Sequence, residues 1–310
     1  MQAEHYNGLI AVWKERSYTS HDVVAKLRGI LHQKRIGHTG TLDPQAEGVL
    51  AVGLGLGTKT FDLLPDHWKT YEAEVTFGIQ TDTEDIWGTI LQTQNVSYTP
   101  EQITQAIGSF EGTYNQVPPM YSAKKIDGKK LYQLAREGKT VERKAVPVTL
   151  KDIQVLSVIG NKARFLVTCS AGTYIRTLCV DIGKMLGCEA CMSSLTRIMA
   201  GGFSKEQALT LDEIKALVDH NQLEERIITI DSALGHFPKV TASNEFEKQL
   251  KNGNAIGTNS VSSLPEAAID TRVRLYLNNN EEGEFIGVYR LDLENKLFKP
   301  VKIFYRNEIL

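Results

Sequence analysis

The sequence predicts an α/β (α+β) protein: a large unit built on a mixed, largely antiparallel sheet, followed by a small all-β unit. Three observations carry that prediction. Strand signals with a period of two, such as Tyr71–Phe77, are interleaved in irregular order with capped helical segments. Beyond about Pro238 the helical periodicity gives way to short strand-like runs separated by Asn, Glu and Gly. The 310-residue chain, 42% hydrophobic and 23% charged, is long enough for two packed units. The expected division is residues 1–238 and 239–310, with an insertion at about 116–145 in the first.

In chain order, Ser20 to Arg35 predicts a helix, capped by Ser20, with Asp22 near its positive end and Val23, Val24, Leu27, Ile30 and Leu31 on one face. Gly37 is expected to supply the left-handed turn after it. Val49 to Leu56 is an apolar run. Tyr71, Ala73, Val75 and Phe77 alternate with Glu72, Glu74 and Thr76, a half-buried strand with Tyr71 on its inner face. Thr99, Pro100 and Gln102 form the signature of a helix start, and Thr210, Leu211, Asp212 and Glu213 repeat it. Arg164 to Cys169 predicts a strand, and Thr173 to Leu186 a helix stopped by Gly187. Arg272–Leu277, Glu284–Leu291 and Lys296–Tyr305 predict the strands of the second unit.

Composition narrows the function classes. The N-terminal residues lack a basic leader followed by a long apolar segment, and no stretch reaches the length of a membrane span, so a cytoplasmic protein without membrane association is expected. Cys169, Cys179, Cys188 and Cys191 do not form a disulfide framework at this chain length. A net charge of −2 gives no global attraction to nucleic acid. Its distribution does: Tyr121 to Lys144 (YSAKKIDGKKLYQLAREGKTVERK) has a local balance of +5, whereas acid gathers at Glu281, Glu282 and Glu284.

The glycine-rich stretch Val52–Thr60 matches neither the phosphate-loop nor the dinucleotide spacing, because Thr58 interrupts both, and reads as structural. Cys188 and Cys191 have the gap of a zinc knuckle without a second knuckle, so no metal is expected. The histidines pair with no evident nucleophile. Asp43 differs. It lies in Gly37–Pro44 (GHTGTLDP), where Pro44 excludes the helical region for its predecessor and Gly37 and Gly40 permit tight turns. An Asp-Pro turn is the ordinary reading of that stretch taken alone.

The stretches around it change the balance. GHTGTLDPQAEGVL (37–50), KTYEAEVTFGIQTDTED (69–85), QVPPMYSAKKIDGKKLYQLAREG (116–138) and CSAGTYIRTLCVDIGKMLG (169–187) together resemble, in family order, the bacterial TruB family of tRNA pseudouridine-55 synthases. The C-terminal residues resemble, more weakly, the small RNA-binding PUA-like domain that follows in that family. The resemblance implies that Asp43 is the catalytic aspartate, Tyr71 the tyrosine packing on the target base, and Arg176 the arginine pairing with the aspartate. It places His38, Tyr174 and Leu195 around the uridine, and Lys14 in a lysine-proline-x-glycine element. Here that element reads KERSYTS, with Glu15 and Ser17 for the proline and glycine, and Thr196 stands where an arginine is common. Lys124, Lys125, Lys129, Lys130 and Arg136 of the basic insertion are the expected RNA contacts.

The implied reaction is the isomerisation of uridine-55 in the T arm of tRNA. It breaks the bond from ribose C1′ to N1 and rejoins the uracil through C5. No electrons are exchanged, so no cofactor is implied. A fixed carboxylate is needed, as nucleophile or as base on the ribose, and an adjacent guanidinium favours its ionised form. A target inside a folded loop must be flipped out, and a tyrosine such as Tyr71 can stack on it. The expected partner is tRNA alone, with the protein a monomer and no obligate protein partner. A non-catalytic tRNA-binding or tRNA-folding protein is the alternative from another class, and an intact Asp43, Tyr71 and Arg176 set argues against it.

Overall fold

The computed structural model describes residues 6–64, 68–122, 124–126, 128–262, 264, 271–278 and 283–305, with the side chains of 125, 126 and 130 outside that description. Its strands are β1 (Gly8–Lys14), β2 (Ile36–Thr39), β3 (Glu47–Leu54), β4 (Lys69–Phe77), β5 (Ile79–Thr81), β6 (Ile90–Thr93), β7 (Gly112–Gln116), β8 (Lys125–Ile126), β9 (Lys129–Lys130), β10 (Val146–Ile159), β11 (Lys162–Cys169), β12 (Ala190–Ala200), β13 (Phe203–Ser204), β14 (Lys239–Ala242), β15 (Ile256–Gly257), β16 (Arg272–Leu277), β17 (Glu284–Asp292) and β18 (Leu297–Ile303). The helices are α1 (Ser20–Ile30), α2 (Pro100–Gly108), α3 (Leu131–Arg136), α4 (Ile175–Leu186), α5 (Leu211–Asp219), α6 (Ile230–Ala233) and α7 (Glu247–Lys251).

The large sheet runs β1-β3-β12-β4-β11-β10-β7, with β2 and β13 pairing beside it. Every pairing in it is antiparallel except the short β3–β12 seam, where Thr196 meets Glu47 and Arg197 meets Gly48. Gly48 is obligatory at that seam: its φ is 122°, and a Cβ would fall 2.2 Å from the carbonyl oxygen of Arg197. β4 places Tyr71, Ala73, Val75 and Phe77 on one face, where they pack with Leu178, Ile182 and Leu195 under α2 and α4. β1 and β3 are buried on both faces: Ile10, Val12, Leu50 and Val52 meet α1 and α5, while Leu9, Ala11, Val49 and Ala51 pack with Leu64 and Phe203.

The capping logic holds with one shift. Thr99 and Thr210 cap α2 and α5 through reciprocal boxes with Gln102 and Glu213, and Gly187 ends α4 at φ 78°. For α1, however, Thr19 rather than Ser20 is the cap, bonded reciprocally to Asp22. The helix ends at Ile30, not Arg35. The left-handed turn falls to His32 at φ 49°, and Gly37 lies inside β2. The reason is pairing: β2 continues the sheet against β3, with Gly37 opposite Gly53.

The second sheet, β14-β16-β17-β18-β15, holds its own core of Val240, Leu275, Ile286, Tyr289 and Phe298 and also carries the five-residue helix α7. It rests on the first unit through Leu56, Leu63, Ile230, Leu234, Val288 and Phe304. Among the described residues, no helix is long and apolar enough to cross a membrane.

Candidate active site

The loop between β2 and β3 carries Asp43 to the β3–β12 seam, and its backbone is clamped from three directions. Gly40, at φ 72°, turns the chain, and its carbonyl accepts from Arg197 Nη2 at 2.8 Å. Ser20 Oγ accepts from Leu42 N–H at 3.0 Å. The Pro44 carbonyl accepts from Ser17 N–H at 2.9 Å and from Lys14 Nζ at 3.2 Å. Short-range bonds of this kind around one residue remove the freedom an exposed loop ordinarily has.

Arg176, in the first turn of α4, meets the carboxylate in a fork: Nε lies 2.9 Å from Oδ2 and Nη2 donates to Oδ1 at 3.3 Å. The Arg176 side chain is 6% exposed and that of Asp43 39%, so the arginine is a buried support and the aspartate is open to solvent. Two further donors of Arg176 are used as well. Nη1 donates to the Thr83 carbonyl at 2.8 Å and Nη2 to the Tyr121 carbonyl at 2.9 Å. The loop bearing Thr83 and the segment bearing Tyr121 are therefore tied to one side chain.

Tyr71 is buried on β4 directly opposite Arg197 in the β4–β12 pairing, and burial raises its hydroxyl above the ordinary tyrosine range. Leu195 and Leu42 lie in the same apolar cluster. Tyr174 caps α4, and buried Gln116 fixes its backbone from both sides, accepting from its N–H at 2.8 Å and donating to its carbonyl at 3.1 Å. His38, on β2, sets its ring edge against His21 at a centroid separation of 5.4 Å. Burial, with His21 and Arg197 adding to it, pushes its pKa down to about 4.

Lys14 lies beneath the site rather than in it. It is wholly buried and donates to the carbonyls of Glu15, Tyr18 and Pro44 at 3.0, 2.7 and 3.2 Å. Burial pulls its pKa down to about 8, with Asp43 opposing the shift. The insertion forms a β8–β9 ladder followed by α3, anchored by Leu131 and Leu134. Lys129 is exposed and Arg136 lies 5.5 Å over the Tyr132 ring, while the side chains of Lys125 and Lys130 fall outside the described residues. Lys124 is half-buried at the base of that ladder.

Four residues of the site escaped the sequence reading: Arg197, Gln116, Thr83 and Asp85. Arg197 is fully buried, donating to Val49 and Gly40, and follows directly on Thr196, the position where the sequence departs from the family pattern. Thr196 itself bonds Glu47, which also pairs with Arg16 at 3.4 Å, so a guanidinium still stands at this corner. Asp85 accepts from the Thr83 hydroxyl at 2.8 Å; burial raises its pKa, with Arg176 opposing. Cys188 and Cys191 are buried free thiols, and among the described residues no three His, Cys, Asp or Glu side chains are grouped for a metal.

Comparison with known proteins places the chain in a family. Residues 28–175 match the family model described as TruB family pseudouridylate synthase (N terminal domain), and residues 176–235 match the tRNA pseudouridylate synthase B C-terminal domain. The chain is 43% identical to the tRNA pseudouridine synthase B of Alkaliphilus oremlandii, over 97% of this chain and 100% of that one. It is 41% identical to that of Bacillus licheniformis, over 96% and 97%. Among solved structures, a chain of a Cbf5-Nop10-Gar1 complex superposes with a TM-score of 0.72 at 25% identity, over 96% of this chain and 85% of that one. With two family models matched and relatives covering nearly its whole length, the chain belongs to the TruB family of pseudouridylate synthases.

Proposed function

We propose that this protein isomerises uridine to pseudouridine in tRNA, acting on position 55 of the T arm, with Asp43 as the group that acts on the ribose. The observation that carries this reading is a half-exposed carboxylate on a clamped loop, forked to a buried arginine. The reaction breaks N1–C1′ and forms C5–C1′. The proton leaves C5 and one is gained at N1, so a group that holds the sugar and releases it unchanged suffices. Asp43 provides that group, at C1′ as a nucleophile or at the ribose as a base. Arg176 keeps it ionised and aimed. Tyr71 and Leu195 supply a flat apolar floor for a flipped uracil. His38 and Tyr174 border it, and Lys14 stiffens the loop from below. Lys124, Lys125, Lys129, Lys130 and Arg136 give the insertion the charge to hold the RNA backbone. The chemistry needs no cofactor, and we read the protein as a cytoplasmic monomer that works without a protein partner.

The test is conversion of unmodified tRNA, with pseudouridine mapped by mass. Asp43→Asn preserves shape and removes the carboxylate, so turnover is lost while tRNA affinity stays within a few-fold of wild type. Product formation by this variant would falsify the assignment of Asp43. Binding without product by the wild-type protein would instead favour a tRNA-binding or tRNA-folding role.

A further inference from the structure

Next to the first turn of α4 lies a cavity of about 260 Å³ lined by Glu84, Tyr114, Arg143, Thr177, Asp181 and Lys184 among others. Two features of it are unexplained by the site already described. Glu84 adopts a left-handed backbone, φ 65°, which a side chain bearing a Cβ rarely takes. Strain of this kind persists where surrounding contacts impose it. Those contacts are visible: the Glu84 carboxylate accepts from the buried Thr177 hydroxyl at 2.6 Å, and its carbonyl accepts from Met192 N–H at 3.0 Å. Thr177 is the residue after Arg176, and Thr83, before Glu84, supplies the carbonyl that Arg176 Nη1 uses. Glu84 thus grips the arginine's helix from the same loop that grips its guanidinium.

The second feature is Arg143. Its Nη1 donates to the Pro118 carbonyl at 3.0 Å, while its Nε is buried without a hydrogen-bond partner. Pro118 and Tyr121 lie in the first residues of the insertion and Arg143 near its last, and Tyr121 is bonded to Arg176. Arg143 therefore closes the root of the insertion on Pro118 from within, and Arg176 holds it from outside through Tyr121. Burial raises the pKa of Glu84, and the positive charges of Arg176 and Arg143 oppose that shift, as the hydrogen bond from Thr177 does. The carboxylate thus lies in the field of both guanidiniums.

We propose that Glu84 is a positioning residue for Arg176, holding the first turn of α4 through Thr177, and that Arg143 couples this carboxylate across the cavity to the root of the basic insertion. Seating of the insertion on RNA would then be transmitted to the Asp43–Arg176 fork through Arg143 and Glu84. The inference rests on the reading that Asp43 and Arg176 perform the reaction.

It is tested by single-turnover conversion of unmodified tRNA at saturating enzyme, with affinity measured separately and folding checked by thermal unfolding. Glu84→Ala slows the chemical step roughly tenfold with affinity within about twofold, because a small misplacement of a catalytic support is costly in rate. Glu84→Gln, which keeps an acceptor for Thr177, recovers part of the loss. Arg143→Ala slows the wild-type enzyme several-fold yet adds nothing in the Glu84→Ala background, the signature of residues acting through one another. Rates at saturating tRNA equal to wild type, a loss confined to affinity, or falls that multiply in the double variant would each overturn the proposal. Asp43→Asn is run alongside. If it turns over, the reading of the active site fails; if it is inactive while Glu84 and Arg143 act independently, only the coupling fails.

Discussion

Three cations surround one carboxylate, and they divide the work by geometry. Arg176 binds the Asp43 oxygens, whereas Lys14 and Arg197 bind carbonyls of the loop that carries it. A planar fork suits a carboxylate, and an ammonium with three rotatable donors suits three carbonyls pointing inward. His38, nearby on β2, shows the consequence of burial, to which His21 and Arg197 add. Its pKa, pushed down from an ordinary 6.5 to about 4, leaves the ring neutral at physiological pH. The sign follows directly: between those two values the unfolded chain binds a proton that the folded protein does not. Stability therefore declines as pH falls from 6.5 toward 4, and His38 contributes no pH dependence above that window. His38→Phe, which cannot titrate, should flatten this acid limb in denaturant midpoints measured from pH 4 to 7; equal slopes in both proteins would exclude His38 as its source. Asp43 and Arg176 were legible in the sequence through their motifs. Arg197 was not, because an arginine on a strand reads as a solvent-facing residue, and only the parallel seam against Gly48 explains its burial.

Elements with one buried face were the legible ones. β4 alternates cleanly, and α2, α4 and α5 announce themselves by caps and by apolar stripes. β1 is buried on both faces and so shows no alternation, while β12 and β10 each carry register shifts that break the period of two. The loop after β1 is a different case. The sequence departs from the family pattern by placing Ser17 where a glycine is found, and the structure holds Ser17 at φ 70°. Its N–H is needed there, bonded to the Pro44 carbonyl next to Asp43. The fold thus retains the conformation that glycine favours and tolerates the strain of a side chain in it. Ser17→Gly should stabilise the protein by about 0.5–1 kcal/mol, the left-handed penalty less the added freedom of glycine in the unfolded chain. Chemical denaturation decides it, and an unchanged or lowered midpoint would mean that the serine is accommodated without strain.

At the scale of the whole molecule, the two sheets are fixed to each other while the insertion is held by little. An apolar cluster joins the sheets, reinforced by Lys302 with Asp62 at 2.9 Å and by Lys59 Nζ donating to the Ile303 carbonyl at 3.0 Å. Arg274 ties β16 to Asp231 of α6 at 2.8 Å. The insertion, by contrast, is held together by buried Leu131 and Leu134, by internal backbone bonds to Lys124 and Ser122 and by Arg143 on Pro118, and Arg176 bonds it from outside at Tyr121. Its balance of +5 in a chain of net charge −2 concentrates the attraction for phosphate in the least anchored segment. We expect that segment to order on tRNA. Each phosphate contact it makes releases counterions, so losing one lowers the log–log salt slope of binding by ~0.7 to 0.9. Replacing Lys124, Lys125, Lys129 and Lys130 with alanine should therefore weaken tRNA binding most at low salt and flatten its salt dependence. The single-turnover rate at saturating tRNA should change less, since the Asp43–Arg176 fork is held by the carbonyls of Thr83 and Tyr121. A salt slope identical to wild type would show that these lysines face solvent alone, whatever the chemistry at Asp43.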